Sequence, residues 1–261
     1  MRFIDFHTHV FPDKIAAKAT ANICSFYDFE NDFIGNTQTL LDLGGQAGVT
    51  HFLILPVSLK PEQTRHINEF AVREMREHPE FISFGALHPD MEDLYGELDF
   101  IEQNGLRGVK IHPDMIRVAV DDPRMLPIYD AIQDRMPIML HCGDYRMDYS
   151  APQRLRKIMR QFPRLQVFGA HLGGWSVFQD AVDFLADTDI MVDMSSCTTF
   201  LPPEQIVRYI RAYGADRVLF GTDFPLWRPM QEVENFLRLP LTDTEKEKIA
   251  YRNAEAVLDI R

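Results

Sequence analysis

Eight short runs rich in β-branched, aliphatic and aromatic residues recur along the chain, at 2–6, 51–55, 81–86, 108–111, 137–140, 165–169, 190–193 and 217–220. From the second onward they begin roughly 25–30 residues apart, about one strand–helix unit each. The stretches between them carry helical periodicity. In 61–78, Ile67, Phe70, Ala71 and Met75 recur at three- and four-residue spacing. Leu155, Ile158, Met159 and Phe162 do the same ahead of Pro163, as do Ile206, Val207 and Ile210 ahead of Gly214. Thr242-Asp243-Thr244-Glu245 reads as a capping box opening a last helix through Ala254 and Leu258. Eight such units in 261 residues predict a single α/β domain over 1–261, a (β/α)8 TIM barrel. An open doubly wound sheet is the structural alternative. No GxGxxG follows the first run, so a dinucleotide site has no support.

The first interval exceeds the others by about twenty residues, judged against the usual unit length. The excess, about 11–36, holds Phe26, Tyr27, Phe29 and Phe33. Long loops after barrel strands lie over active sites, so a lid-like insertion is one reading. An extra helix on the barrel rim is the other.

Composition narrows the class. The chain is 46% hydrophobic, enough for one large core, and its net charge is −12, from 39 acidic and 27 basic residues. That balance argues against a nucleic-acid backbone as partner. Cys24, Cys142 and Cys197 form no CxxC pair, which argues against a disulfide framework or zinc ribbon. No basic-then-apolar leader opens the chain and no apolar run approaches membrane-spanning length. A cytoplasmic protein with no membrane partner and a small-molecule substrate is the expectation.

Barrel chemistry sits where strands end. Of nine histidines, six stand at or just past such ends: His7, His9, His88, His112, His141 and His171. The last run is followed by Gly221-Thr222-Asp223-Phe224-Pro225, which adds a carboxylate to the same rim, with Gly221 allowing close backbone approach. His7 and His9, two apart on a strand, share a face. Imidazole nitrogens and a carboxylate oxygen suit a divalent ion, zinc first, with iron or manganese as alternatives.

The motifs Asp5-Phe6-His7-Thr8-His9, Gly108-Val109-Lys110-Ile111-His112-Pro113, Leu140-His141-Cys142-Gly143, Ala170-His171-Leu172-Gly173-Gly174 and Gly221-Thr222-Asp223-Phe224-Pro225, with Asn253-Ala254 in the last helix, occur in strand order. On these the chain resembles the amidohydrolase superfamily, in its amidohydrolase-2 branch, over essentially its whole length. The resemblance implies one ion held by His7, His9, His141 and Asp223, with His171 unligated as acid, base or electrostatic stabiliser. It also allows a two-metal plan, bridged by a carboxylated Lys110, with His141 and His171 on the second ion. A homodimer is a further expectation of the resemblance.

Lys110 otherwise anchors an anionic substrate or pairs with a nearby acid. His112 shares its face and is a substrate-binding candidate with Arg146 and Trp175; His88, Arg117, Arg228 and Trp227 are weaker ones. Asp5 is either a partner behind His7 or a strand-end hydrogen bonder. Cys142 alternates away from His141 and reads as a buried apolar residue. Ser195 and Ser196 have no base adjacent in sequence, which disfavours a Ser-His-Asp triad. The leading expectation is a metal-dependent hydrolase that uses a metal-activated water, with Asp223 and His171 as acid–base groups, on a small carboxylated amide, ester or lactone. The alternative is a metal-dependent, non-oxidative decarboxylase of a small carboxylic acid. A non-catalytic metal-binding barrel is the third.

Overall fold

The computed structural model describes residues 1–260. Nine strand segments are β1 (Phe3–Thr8), β2 (Val49–Ile54), β3 (Phe81–Ser83), β4 (Gly85–Ala86), β5 (Val109–Ile111), β6 (Ile138–Leu140), β7 (Val167–Gly169), β8 (Met191–Asp193) and β9 (Val218–Leu219). They pair in parallel in the orders β1-β2-β3 and β4-β5-β6-β7-β8-β9. β3 and β4 are halves of one barrel strand. Phe84 between them donates its N–H to Ile54, whereas Gly85 donates to Gly108, so pairing passes from one neighbour to the other at this point. The ring closes because Phe6 N–H donates to Phe220 at 2.8 Å and Asp223 N–H donates to His7 at 2.8 Å. The expected (β/α)8 barrel is thus the observed fold, with all eight expected strands in place.

Alternation sorts the core into two layers. Ile4, Phe6, Leu53, Leu55, Phe84, Met139, Phe168 and Leu219 fill the lumen with Ala254 and Leu258 of the last helix. Their neighbours Phe3, Phe52, Ile54, Val109, Ile111, Ile138, Leu140, Val192 and Val218 face outward against the helices. The helices end where local chemistry dictates. Pro203–Tyr213 starts on a proline and stops at Gly214, whose φ of 88° suits glycine. The Thr242–Glu245 capping box forms as expected. The final helix is not uniformly α: a π turn at Lys248–Arg252 separates Asp243–Glu247 from Asn253–Leu258. Asn253 ties it to the barrel by donating to Val218 at 2.8 Å.

The 11–36 insertion forms the helix Asp13–Tyr27 and a loop. Its face of Ala16, Thr20, Cys24 and Tyr27 is buried at three- and four-residue spacing. Cys24 and Tyr27 pack with Trp175 and Leu226, beside Phe26, Phe29 and Trp227. Among the described residues, no helix is long and apolar enough to cross a membrane.

Candidate active site

Alternation carries Lys110, His141, Asp193 and Asp223 into the barrel, because each follows an inward position by an even number of residues. Met139 precedes His141 and Leu219 precedes Asp223 in this way. Two positions need more than alternation. Phe6 already faces the lumen, and a register shift of β1 against β2 between Asp5 and Thr8 turns His7 toward the mouth. His171 follows β7 with a left-handed backbone (φ 57°), as does Leu172 (φ 52°). Non-glycine residues there cost about 1–2 kcal/mol each, energy spent on orienting a side chain. Gly221 is required by crowding: a Cβ there would lie 2.9 Å from the His7 Cβ and 3.2 Å from the Ser195 Cβ.

The outer nitrogen of each ring is committed to the protein. His7 Nδ1 donates to Asp193 at 2.9 Å and His9 Nδ1 donates to the Leu55 carbonyl at 2.6 Å. His171 Nδ1 donates to Ser195 Oγ at 2.8 Å, and His141 Nε2 to the Gly143 carbonyl at 3.2 Å. Each inner nitrogen is then a lone pair. His7 Nε2 and His9 Nε2 stand 3.5 and 3.4 Å from Asp223 Oδ1. These gaps are long for hydrogen bonds. Two atoms each about 2.0–2.1 Å from one ion, at a tetrahedral angle, stand about 3.4 Å apart. His171 Nε2 and His141 Nδ1 face each other at 3.1 Å, lone pair toward lone pair. A cation or shared proton relieves that opposition. The donor set therefore fits a divalent ion.

His7, His171 and Asp223 can each offer a donor atom within 4.8 Å of the others. His9 joins through Asp223. His141 lies one step further, beside His171, and forms a second such group with His112 and Asp114.

All of these side chains are buried. Burial pushes the His171 pKa down to about 4 and those of His7 and His141 below the usual value, so the rings are neutral at pH 7. Burial alone would raise the Asp223 and Asp193 carboxyls. The histidines around Asp223, and His7, His171 and the Ser195 hydroxyl around Asp193, outweigh it and hold both well below the carboxylate range. Lys110 Nζ is buried with no hydrogen-bond partner. Burial pushes its pKa down to about 8, with Asp193 and Asp223 opposing the shift.

Asp5 accepts hydrogen bonds from the backbone N–H groups of His7 and Thr222 and from the Thr222 hydroxyl, fastening β1 to the loop that carries Asp223. His112 has both nitrogens engaged: Nδ1 accepts from Met115 N–H, and Nε2 lies 2.7 Å from the Tyr27 hydroxyl. Arg146 is clamped on Asp144, donates to the Phe26 carbonyl and lies over the rings of Phe26 and Trp175. Trp175 packs edge-on to Tyr27 and Phe200. His88 accepts from Asp90 N–H, outside the cluster. Arg228 pairs with Asp32 of the insertion loop. Cys142 is a buried thiol, pushed up to about 12 by burial.

Sequence reasoning missed Asp193, Tyr27 and the serine pair. Asp193 ends the seventh expected strand, the same signal that identified Asp223. Ser195 has bases in space though none in sequence: it sits between His7 and His171 and donates to Asp193, so its hydroxyl is committed.

Tyr27, Trp175, Phe29, Phe200 and Trp227 roof the cluster. Two open cavities, of about 540 and 560 Å³, lie on outer surfaces. One is beside Arg156 and Asp187, the other between the Asp13–Tyr27 helix and its loop; neither is over the histidines.

Comparison with known proteins agrees with this fold. A family model described as amidohydrolase, of the amidohydrolase-2 type, matches residues 4–260. No curated protein sequence matches significantly. Among solved structures, an uncharacterized TIM-barrel protein from Bordetella bronchiseptica superposes with a TM-score of 0.83 at 20% identity, covering 99% of each chain. The 5-carboxyvanillate decarboxylase of Sphingomonas paucimobilis gives 0.76 at 16% identity, covering 100% of this chain and 99% of that one. A dihydroxybenzoic acid decarboxylase from Polaromonas, solved with bound manganese and an inhibitor, gives 0.77 at 15% identity, covering 99% and 97%. The match over nearly its whole length, on a barrel whose strand ends gather histidines and a carboxylate, means that the chain belongs to the amidohydrolase-2 family of metal-dependent enzymes.

Proposed function

We propose that the protein is a metal-dependent, non-oxidative decarboxylase of a small aromatic carboxylic acid. Lys110 is the observation that carries this reading. A buried ammonium with no hydrogen-bond partner calls for an acceptor within reach, and a substrate carboxylate supplies one. The aromatic roof suits a flat ring. Similar barrels include decarboxylases of dihydroxybenzoate and carboxyvanillate, which supports the same class. Hydrolysis, the first expectation from sequence, becomes the second reading. It is favoured by the opposed His141–His171 pair next to Lys110, which suits a two-ion plan.

His7, His9 and Asp223 would hold one ion, with His171 or His141 completing the set; zinc and manganese both suit these donors. The bound ion would supply electrostatic stabilisation of negative charge that builds on the substrate. Lys110 orients the carboxylate, and Tyr27 and Trp175 exclude water above the ring. The bond to the carboxyl carbon breaks, its electron pair stays on the ring carbon, and carbon dioxide leaves. The proton that replaces the carboxyl group comes from solvent; His171 and Asp223, whose inner atoms face the cluster, are placed to take it up and pass it to that carbon. No water is consumed.

Metal content per chain, measured by elemental mass spectrometry, comes first. The metal-loaded protein is then incubated with 2,6-dihydroxybenzoate and 5-carboxyvanillate in water enriched in heavy oxygen. Carbon dioxide release with no heavy oxygen fixed in the product is expected, and lost in His171→Asn. Heavy oxygen entering the product of an ester or lactone, with no carbon dioxide, would replace this reading with hydrolysis. An absence of bound metal would sink both.

A further inference from the structure

We propose that Ser196 and Trp227 form a relay that positions Asp223, reserving one of its carboxylate oxygens for the metal. The inference rests on the metal-site reading above. The indole Nε1–H of Trp227 can only donate, and it meets Ser196 Oγ at 2.8 Å. Ser196 Oγ accepts there, so its own proton is free to go elsewhere. It goes to Asp223 Oδ2, at 2.6 Å. The other oxygen, Oδ1, is the one that faces His7 Nε2 and His9 Nε2. Indole, hydroxyl and carboxylate thus form a chain with one direction, and it holds Asp223 as a single-oxygen donor.

The backbone is bent to make this possible. Ser196 has a φ of 57° and Asp223 a φ of 60°, both in the left-handed region. Strained non-glycine backbone persists where surrounding contacts over-determine it. The left-handed turn separates two consecutive hydroxyls: Ser195 goes to Asp193, behind His7, and Ser196 goes to Asp223. Each of the two buried carboxylates has its own serine. Trp227 in turn packs on Phe29 of the insertion and on Phe200, with ring centroids at 4.9 and 6.2 Å. The relay therefore joins the roof to the carboxylate.

The test uses Ser196→Gly and Trp227→Phe with metal alone. Glycine suits the left-handed backbone, so Ser196→Gly removes the hydroxyl without adding strain, and phenylalanine removes only the indole donor and some ring area. Zinc and manganese affinities are measured by competition with a chromogenic chelator, and thermal unfolding of the metal-free proteins is followed in parallel. Ser196→Gly is expected to bind 10- to 100-fold more weakly, roughly the loss seen when a partner behind a metal ligand is removed. Trp227→Phe is expected to lose affinity in the same direction by a smaller factor. Metal-free melting of Ser196→Gly establishes that the variant remains folded. Cobalt(II) supplies an independent readout. Once freed from Ser196, Asp223 can bind through both oxygens, so the visible absorption of the cobalt-loaded variant should weaken as the number of donor atoms rises. Wild-type affinity and cobalt spectrum in folded Ser196→Gly would overturn the relay alone. A wild-type protein that binds no divalent ion would overturn the metal-site reading and the relay with it.

Discussion

At the scale of single residues, Lys110 carries the sharpest consequence. Its pKa falls from 10.5 to about 8 through burial, so the unliganded protein holds an ammonium at a cost. Below pH 8 both folded and unfolded chains bind the proton, and the full cost of about 3 kcal/mol is present. Between pH 8 and 10.5 the unfolded chain binds more protons than the folded one, so this contribution to stability rises with pH. Lys110→Met keeps most of the stem and removes the charge. In metal-free protein it is expected to be more stable than wild type by about 3 kcal/mol at pH 7, with the gap closing by pH 10.5. Paired urea titrations at pH 7, 9 and 10.5 check this; other groups titrate there too, so the wild-type-minus-variant difference is the quantity to follow. A constant gap would mean that Lys110 holds no titrating ammonium in this range, as after carboxylation. The inward placement of Lys110, His141 and Asp223 was legible in sequence because alternation within a strand is rigid geometry. The turning of His7 and His171 was not: it depends on a register shift and left-handed backbone, which residue type alone does not announce.

At the scale of elements, two polar contacts tie the Asp13–Tyr27 helix to the barrel: Arg146 donates to the Phe26 carbonyl, and His112 meets the Tyr27 hydroxyl. His112 Nδ1 accepts from Met115, so its proton lies on Nε2 and is donated to the Tyr27 hydroxyl. That bond joins the roof to β5, and the cluster below is buried while it holds. Tyr27→Phe removes the acceptor and keeps the ring. A single hydrogen bond is worth about 1 kcal/mol, so opening of the helix should become roughly fivefold more frequent. Amide exchange across 13–27 measures this directly, with the barrel strands as internal control. Faster binding of metal to the apoprotein should accompany it. Unchanged exchange would mean that aromatic packing and the Arg146–Phe26 contact keep the roof shut without the Tyr27 hydroxyl. The sequence showed this insertion as an over-long interval rich in phenylalanine and tyrosine, and left open whether it covered the mouth or flanked the rim. Only the tertiary position of Trp175 and Leu226, from distant units, shows what its apolar face packs on.

At the scale of the whole molecule, the site and the barrel stabilise each other. The cluster draws on β1, β6, β9 and the segment after β7, and Asp5 fastens β1 to the β9 loop across the closing seam. An ion bound there would bridge the first and last strands. Eight local units of even spacing predicted the closed barrel, with an open sheet as the alternative; the contacts that close the ring, between the first and last strands, are not local and leave no sequence spacing of their own. Metal that binds only the folded state stabilises by about 2.7 kcal/mol at a hundredfold excess over its dissociation constant. For a domain of this size each kcal/mol moves the melting temperature by about 2–4 °C. Loading is therefore expected to raise the melting temperature by roughly 5–10 °C, and a strong chelator to reverse the gain. Asp223→Asn and His7→Ala should lose most of the shift while keeping the barrel fold, because both side chains meet at the seam through the ion. Scanning calorimetry of wild type and both variants, with and without zinc or manganese, separates this from general stabilisation: a shift of wild-type size in both variants would place the ion elsewhere in the molecule.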